Sequence, residues 1–270
     1  MGALTTERSP GSVLDISSTP TVPFGRLVRV ELRKSFDTRA GRWLLITIGL
    51  LTLLVEGITL AVTTVQDVAM NFGDFVGAAA FVTSILLPVL GILVVTSEWG
   101  QRTAMVTFTL EPRRPLVIAA KLVTGLVLTA ATAVFAIGVG LVCVLLYAGI
   151  QGESPVWEFG FNYLVGFLIV QSFAMLGGFA LATLFLNTPA AIVVFFVYKW
   201  VLPGLFALGS GLMAWFSDVS PWIDFQAAQI PVQDLTVSGS DWGHLLVSGF
   251  VWLVLPLAVG LRRVLRAEVK

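Results

Sequence analysis

The chain has 270 residues, of which 57% are hydrophobic and only 12% charged, with 16 basic and 16 acidic residues cancelling to a formal charge of zero. A soluble domain carries about twice that charged fraction, and with a mean hydropathy of +0.93 this chain cannot clothe a globular surface in polar groups, so lipid is its main solvent. A pI of 6.6 gives no sign of a nucleic-acid partner, the one cysteine (Cys143) excludes a disulfide framework or a Cys-based zinc site, and the one histidine (His244) excludes a two-histidine metalloprotease motif.

Residues 1–23 are rich in Ser, Thr, Pro and Gly and hold no apolar run of signal-peptide length, so they read as a disordered cytoplasmic tail. Over 24–41, Phe24, Leu27, Val28, Leu32 and Phe36 fall on one side at helical spacing, with Arg26, Arg29, Arg33, Lys34 and Asp37 largely elsewhere. That pattern predicts an amphipathic helix lying in the cytoplasmic headgroup layer and leading into the membrane.

The remainder, 42–270, reads as one all-α transmembrane domain. A hydrocarbon core of roughly 30 Å takes about 20 apolar residues in a helix. Six stretches qualify: Trp43–Val65, Phe75–Ser97, Leu116–Tyr147, Phe161–Leu186, Ala190–Met213 and Gly243–Leu261. The third exceeds the need, which implies a tilt or a cytoplasmic projection at its start. Asn187-Thr188-Pro189 makes a tight turn between the fourth and fifth, with Pro suited to a first helical turn. Between the fifth and sixth, 214–241 carries Trp215, Phe216, Trp222, Ile223 and Phe225 and is too apolar for a solvated loop; a short interfacial or re-entrant helix broken at Pro221 and Pro231 is expected. His244 sits at the outer boundary, where a hydrogen-bonded interfacial role is expected.

Lys and Arg gather before the first span, around the second-to-third connection and after the last, whereas the three opposite loops contain neither. An even number of spans with both termini in the cytoplasm satisfies every loop. Away from the span ends, the charged residues are Glu56 in the first span and Lys199 in the fifth. Glu56 lies roughly 20 Å above Trp43 and Lys199 roughly 15 Å above Pro189, a gap of about 5 Å that a lysine stem can close, so an ion pair between them, or a watery cavity facing each, is expected. An unpaired charge at that depth costs at least about 2.5–3.5 kcal/mol.

The connection between the second and third spans (98–118) is the most informative stretch. Glu98 and Trp99 at the membrane exit are followed by Arg102-Thr103, a short apolar helix, the Pro112-Arg113-Arg114 turn, and Lys121 opening the next span. No G-x-x-x-x-G-K-[ST] phosphate loop and no G-x-S-x-G elbow occurs anywhere in the chain.

With Glu31, Arg33 and Lys34 before the first span, this Ser-Glu-Trp…Arg-Thr loop, the Pro-Arg-Arg turn and Ala119-Ala120-Lys121-Leu122 make the chain similar to the single-domain permeases of ABC-2 type ABC transporters, particularly those of actinobacteria. Many members have Gly-Thr where Arg102-Thr103 stands here. The resemblance implies a multi-pass protein of the bacterial inner membrane that is not itself an enzyme and binds no cofactor or metal, ATP and Mg being bound by a separate ATP-binding cassette subunit. It implies that the loop is a coupling helix docking on that subunit and that a second permease protomer, the same or related, completes the transporter. In the resembled proteins the first and fifth spans line the dimer interface. Export of a drug, peptide antibiotic or lipid fits the aromatic outer segment and the scarcity of intramembrane charge. Two competing expectations remain: an ion-coupled secondary transporter using Glu56 and Lys199, and a non-transporting immunity or scaffold protein.

Overall fold

A computed structural model describes residues 22–101, 103–157 and 160–266. Among these the chain is all helical, with no strand, and six helices are long and apolar enough to cross a membrane. Helix α1 (Phe24–Asp37) leads into the spans α2 (Arg39–Gln66) and α3 (Phe72–Gly100). The short α4 (Ala104–Leu110) connects to the spans α5 (Arg114–Gln151) and α6 (Phe161–Phe185). The fifth span is α7 (Thr188–Leu212); α8 (Ala214–Ile223), α9 (Phe225–Ala228) and α10 (Ile230–Gln233) then fold back before the sixth, α11 (Ser240–Arg266).

The helix boundaries follow local chemistry. Thr38, extended at φ −74° and ψ 139°, separates α1 from α2, and its side chain accepts the Gly41 amide at the start of α2. Asn71 and Asp74 form a reciprocal capping box on α3, and Asn187 caps α7 ahead of Pro189. The fold-back segment departs from expectation at one point. Pro221 is accommodated inside α8, and the break falls at Asp224, whose carboxylate accepts the Gln226 and Ala227 amides of the next turn.

At the centre α3 packs against α6, with α5, α2 and α7 around them. The approach of α3 and α6 depends on Gly178, where a Cβ would collide with the Pro88 carbonyl. A large apolar core runs from the basic end through the middle of the bundle, centred on Leu87, Ile92, Met175, Phe179 and Phe195. A second core, with Phe75, Val76, Ala136, Val144 and Phe167, fills the opposite end. That end is tied by Tyr147 donating to the Val68 carbonyl and by Gln151 donating to Asp67. The outer faces of α2, α7 and α11 leave Leu50, Leu54, Trp200, Leu208, Phe250 and other large apolar side chains exposed, as lipid-facing or partner-facing surfaces require.

Both α7 and α11 contain one widened π turn, at Val197–Val201 and Phe250–Val254. The amides of Leu202 and Leu255 reach five residues back, to Val197 and Phe250. The cause is legible in two matching stretches, Lys199-Trp-Val-Leu-Pro203 and Trp252-Leu-Val-Leu-Pro256. Each proline withholds a donor from the carbonyl four residues earlier and crowds it, so the ladder slips by one residue around Lys199 and around Trp252.

A buried charge lattice at the basic end

The apolar stripe of α1 is divided, with Leu27, Val28 and Leu32 half-buried. Phe24 and Phe36 are exposed, and the residue most enclosed on the inner face is a carboxylate, Glu31. The helix is turned so that Glu31 and Lys34 face α3 and α5. Glu98 on the last turns of α3 and Lys121 on the second turn of α5 point at the same place, and Glu31, Glu98 and Lys121 are all buried.

The four side chains form a closed, neutral lattice. Lys121 Nζ lies 2.6 Å from Glu31 Oε2 and 3.3 Å from Glu98 Oε1, and donates to the Val94 carbonyl at 3.2 Å. Lys121 thus hydrogen-bonds one carboxylate and one carbonyl and pairs electrostatically with a second carboxylate. Lys34 Nζ lies 2.7 Å from Glu31 Oε1 and 2.6 Å from Glu98 Oε1. Glu98 Oε1 also accepts the Thr107 hydroxyl of α4 at 3.0 Å. Burial alone would lower the Lys34 ammonium, but hydrogen bonds and charge from Glu31 and Glu98 outweigh it and hold its pKa above the ordinary 10.5.

Around this lattice the connection between α3 and α5 is pinned at several points. The Thr103 amide donates to the Glu98 carbonyl at 2.9 Å. The Trp99 ring lies 6.3 Å from that of Phe108, which with Ala104 forms the buried side of α4. Met105, Val106 and Leu110 on the other side are exposed, Leu110 by 76%. Exposed Pro112 begins the turn into α5. Arg113 grips both oxygens of Glu111, at 2.8 and 2.9 Å, and reaches the Val22 carbonyl. That hydrogen bond to Arg113 holds the Glu111 carboxyl below its ordinary value. Arg114 stands over the Phe108 ring at 4.9 Å and donates to the Val264 and Leu265 carbonyls, joining the loop to the end of α11.

Of the residues expected to form two separate sets, Glu31, Lys34, Glu98 and Lys121 are therefore one site. Arg33 stands apart, in an exposed pair with Asp37. Arg102 and the tail residues 1–21 lie outside the described residues. Thr107 and Glu111 are additions. Nothing in their spacing marks Thr107, whereas Glu111, two residues before Arg113, is a partner that the spacing permits.

The expected Glu56–Lys199 pair is not formed within the chain. The two side chains face different neighbours. Glu56 is fully buried against α5, beside Gly140 and the Cys143 thiol. Lys199 faces the fold-back segment and donates to Gln226 Oε1 at 3.0 Å. His244 packs edge-on against Trp222 with ring centroids 4.7 Å apart, so its aromatic partner comes from α8 rather than from neighbouring Trp242. Among the described residues no group of three or more His, Cys, Asp and Glu side chains is placed to hold a metal ion.

Compared with protein-family models and with curated proteins, the chain matches none.

Proposed function

We propose that this chain is the membrane-embedded permease subunit of an ABC-2 type exporter, with its basic end in the cytoplasm of a bacterial cell. In this reading α4 is the contact for a separate ATP-binding cassette subunit, which binds ATP and Mg. A second permease protomer completes the pathway, and the cargo is lipophilic or amphipathic. The chain itself makes and breaks no bond in the cargo.

The observation that carries the reading is the mounting of α4. A seven-residue helix would not hold its shape alone, yet its base is fastened through Thr107 to a buried lattice shared by α1, α3 and α5. Its free side offers Met105, Val106 and Leu110. An exposed apolar knob on a rigid, multiply braced mount is suited to receive force from a partner and pass it to several spans together. An ion-coupled carrier built on a Glu56–Lys199 pair lacks its geometric premise within one protomer.

The test is association with ATPase candidates encoded beside the gene. The full chain is expected to co-purify with one of them and to support ATP-dependent transport. Met105→Asp and Leu110→Asp should abolish both while leaving the amount of folded permease unchanged. If no candidate associates, or if both variants retain ATP-driven transport, the proposal fails. A stable complex without ATP-driven flux would instead favour a scaffold or immunity protein.

A further inference from the structure

The cavity around Lys199 has a composition unlike the rest of the spans. It encloses about 300 Å³ between α6, α7, α11 and the fold-back segment, at the small end of the range for ligand pockets. Lys199 sits halfway along α7, 11 residues and hence about 16 Å from Thr188. No carboxylate lies within ion-pair distance of it among the described residues, where every ion pair involves other side chains. Its one side-chain partner, Gln226, is neutral and takes one of three N–H donors. The nearest acid along the fold-back segment, Asp224, directs Oδ1 to the backbone amides of Gln226 and Ala227.

The rest of the wall divides cleanly. The amide side chains of Gln226, Gln229 and Gln233 come from the fold-back segment, and Phe173, Phe195, Phe225 and Trp252 supply apolar surface. The two π turns bring this about: one presents Lys199, the other Trp252, and both line the cavity. Tyr198 lies against Trp252 with ring centroids 4.6 Å apart, and the Trp252 indole N–H donates to the Ile223 carbonyl at 2.8 Å, fixing the fold-back segment over the opening. Ile230, on the rim, is 69% exposed, so the cavity reaches the outer surface of the bundle. Widened turns of this kind occur preferentially where a helix serves a function beyond packing.

We infer that this cavity binds an amphiphile with a single anionic head, a phosphate or carboxylate held by Lys199 and Gln226, with its apolar tail against Phe173, Phe225 and Trp252 and leaving past Ile230. A cation at this depth with no acidic partner is stable when an anion completes it. The aromatic wall is suited to a chain or ring rather than to a hydrated inorganic ion. The inference deepens the permease reading by giving the cargo a charge sign, and rests on that reading only for calling the ligand cargo.

The test uses the full chain in phosphatidylcholine nanodiscs, without ATPase or nucleotide, so its failure is distinct from failure of the permease reading. Lysophosphatidic acid with a dibrominated acyl chain is titrated while tryptophan fluorescence is recorded, against the matched monoacylglycerol that lacks the phosphate. Saturable quenching that disappears in Trp252→Phe is expected, with the phosphate compound bound roughly 10- to 100-fold more tightly, the range of one charge-assisted hydrogen bond. Lys199→Met should abolish that difference, Lys199→Arg should keep most of it, and Gln226→Leu should reduce it. Equal binding of the two compounds by the wild type, or Lys199→Met binding as the wild type does, overturns the inference. Competition by added phosphatidylglycerol would identify the natural ligand as a bilayer lipid, and undiminished binding as a free amphiphile; either outcome supports an anion site.

Discussion

Removing Lys121 is the sharpest test of the charge lattice. Lys121 is 2% exposed and touches two carboxylates and a carbonyl, at 2.6, 3.3 and 3.2 Å. Lys121→Met keeps most of the side-chain volume but leaves Glu31 and Glu98 sharing only Lys34, itself 39% exposed. Breaking a buried pair from one side costs about 3–5 kcal/mol, because the remaining charge stays desolvated without its partner. Since Lys34 still bridges both acids, the expected loss is about 3 kcal/mol, toward the lower end of that range. Arg33→Met, which breaks a pair exposed by 82% and 66%, is the control and should cost less than about 0.5 kcal/mol. Glu31→Gln combined with Lys121→Met restores neutrality and should recover at least about 1 kcal/mol of the single-variant loss. Unfolding in mixed detergent micelles, followed by tryptophan fluorescence, measures all four proteins. A Lys121→Met variant no less stable than Arg33→Met, or a double variant no more stable than Lys121→Met alone, would refute the reasoning.

Three further outcomes are expected. Thr107→Val removes the only side-chain hydrogen bond from α4 to Glu98, so amide exchange over 104–110 should quicken by an amount equivalent to about 1 kcal/mol, with exchange in the middle of α3 unchanged. Because the Lys34 pKa is raised on folding, its stabilisation is fully present below the unfolded value of about 10.5 and is lost as pH rises through the folded one. The alkaline fall in stability should therefore be smaller in Lys34→Met than in the wild type, as read from denaturation midpoints across that range. Gly178→Ala forces a methyl group against the Pro88 carbonyl and should cost about 1–3 kcal/mol or more through overpacking, whereas Gly138→Ala, where a Cβ meets nothing, should be nearly neutral in the same melting assay.

The spans were legible because a six-fold recurrence of long apolar runs has no soluble explanation, and the short helix between α3 and α5 lay where the apolar run 104–110 suggested. Rotation about the helix axes was not legible. Glu56 and Lys199 agreed in depth, a quantity that counts residues, but their pairing depended on which neighbour each side chain faced. The same limit concealed the lattice: Lys121 and Glu31 are 90 residues apart, and the apolar spacing of α1 gave no sign that Glu31 would be enclosed. The π turns did leave a trace, in the repeated Val-Leu-Pro of Val201–Pro203 and Val254–Pro256, whose effect four residues upstream follows from proline stereochemistry alone.

Helix α5 spans 38 residues, about 57 Å at a helical rise of 1.5 Å per residue. Lys121 is held near one end, and Gln151 bonds Asp67 at the other. No proline or π turn interrupts it beyond its first turn, so it tilts as a rod rather than bending at a joint. Over that length, a tilt of only about 5° about one end carries the other sideways by about 5 Å. The same rod supports α2 and α3 along its flank. Whatever leans on the lattice is thus working the short handle of a lever whose tip sits on the far side of the bundle.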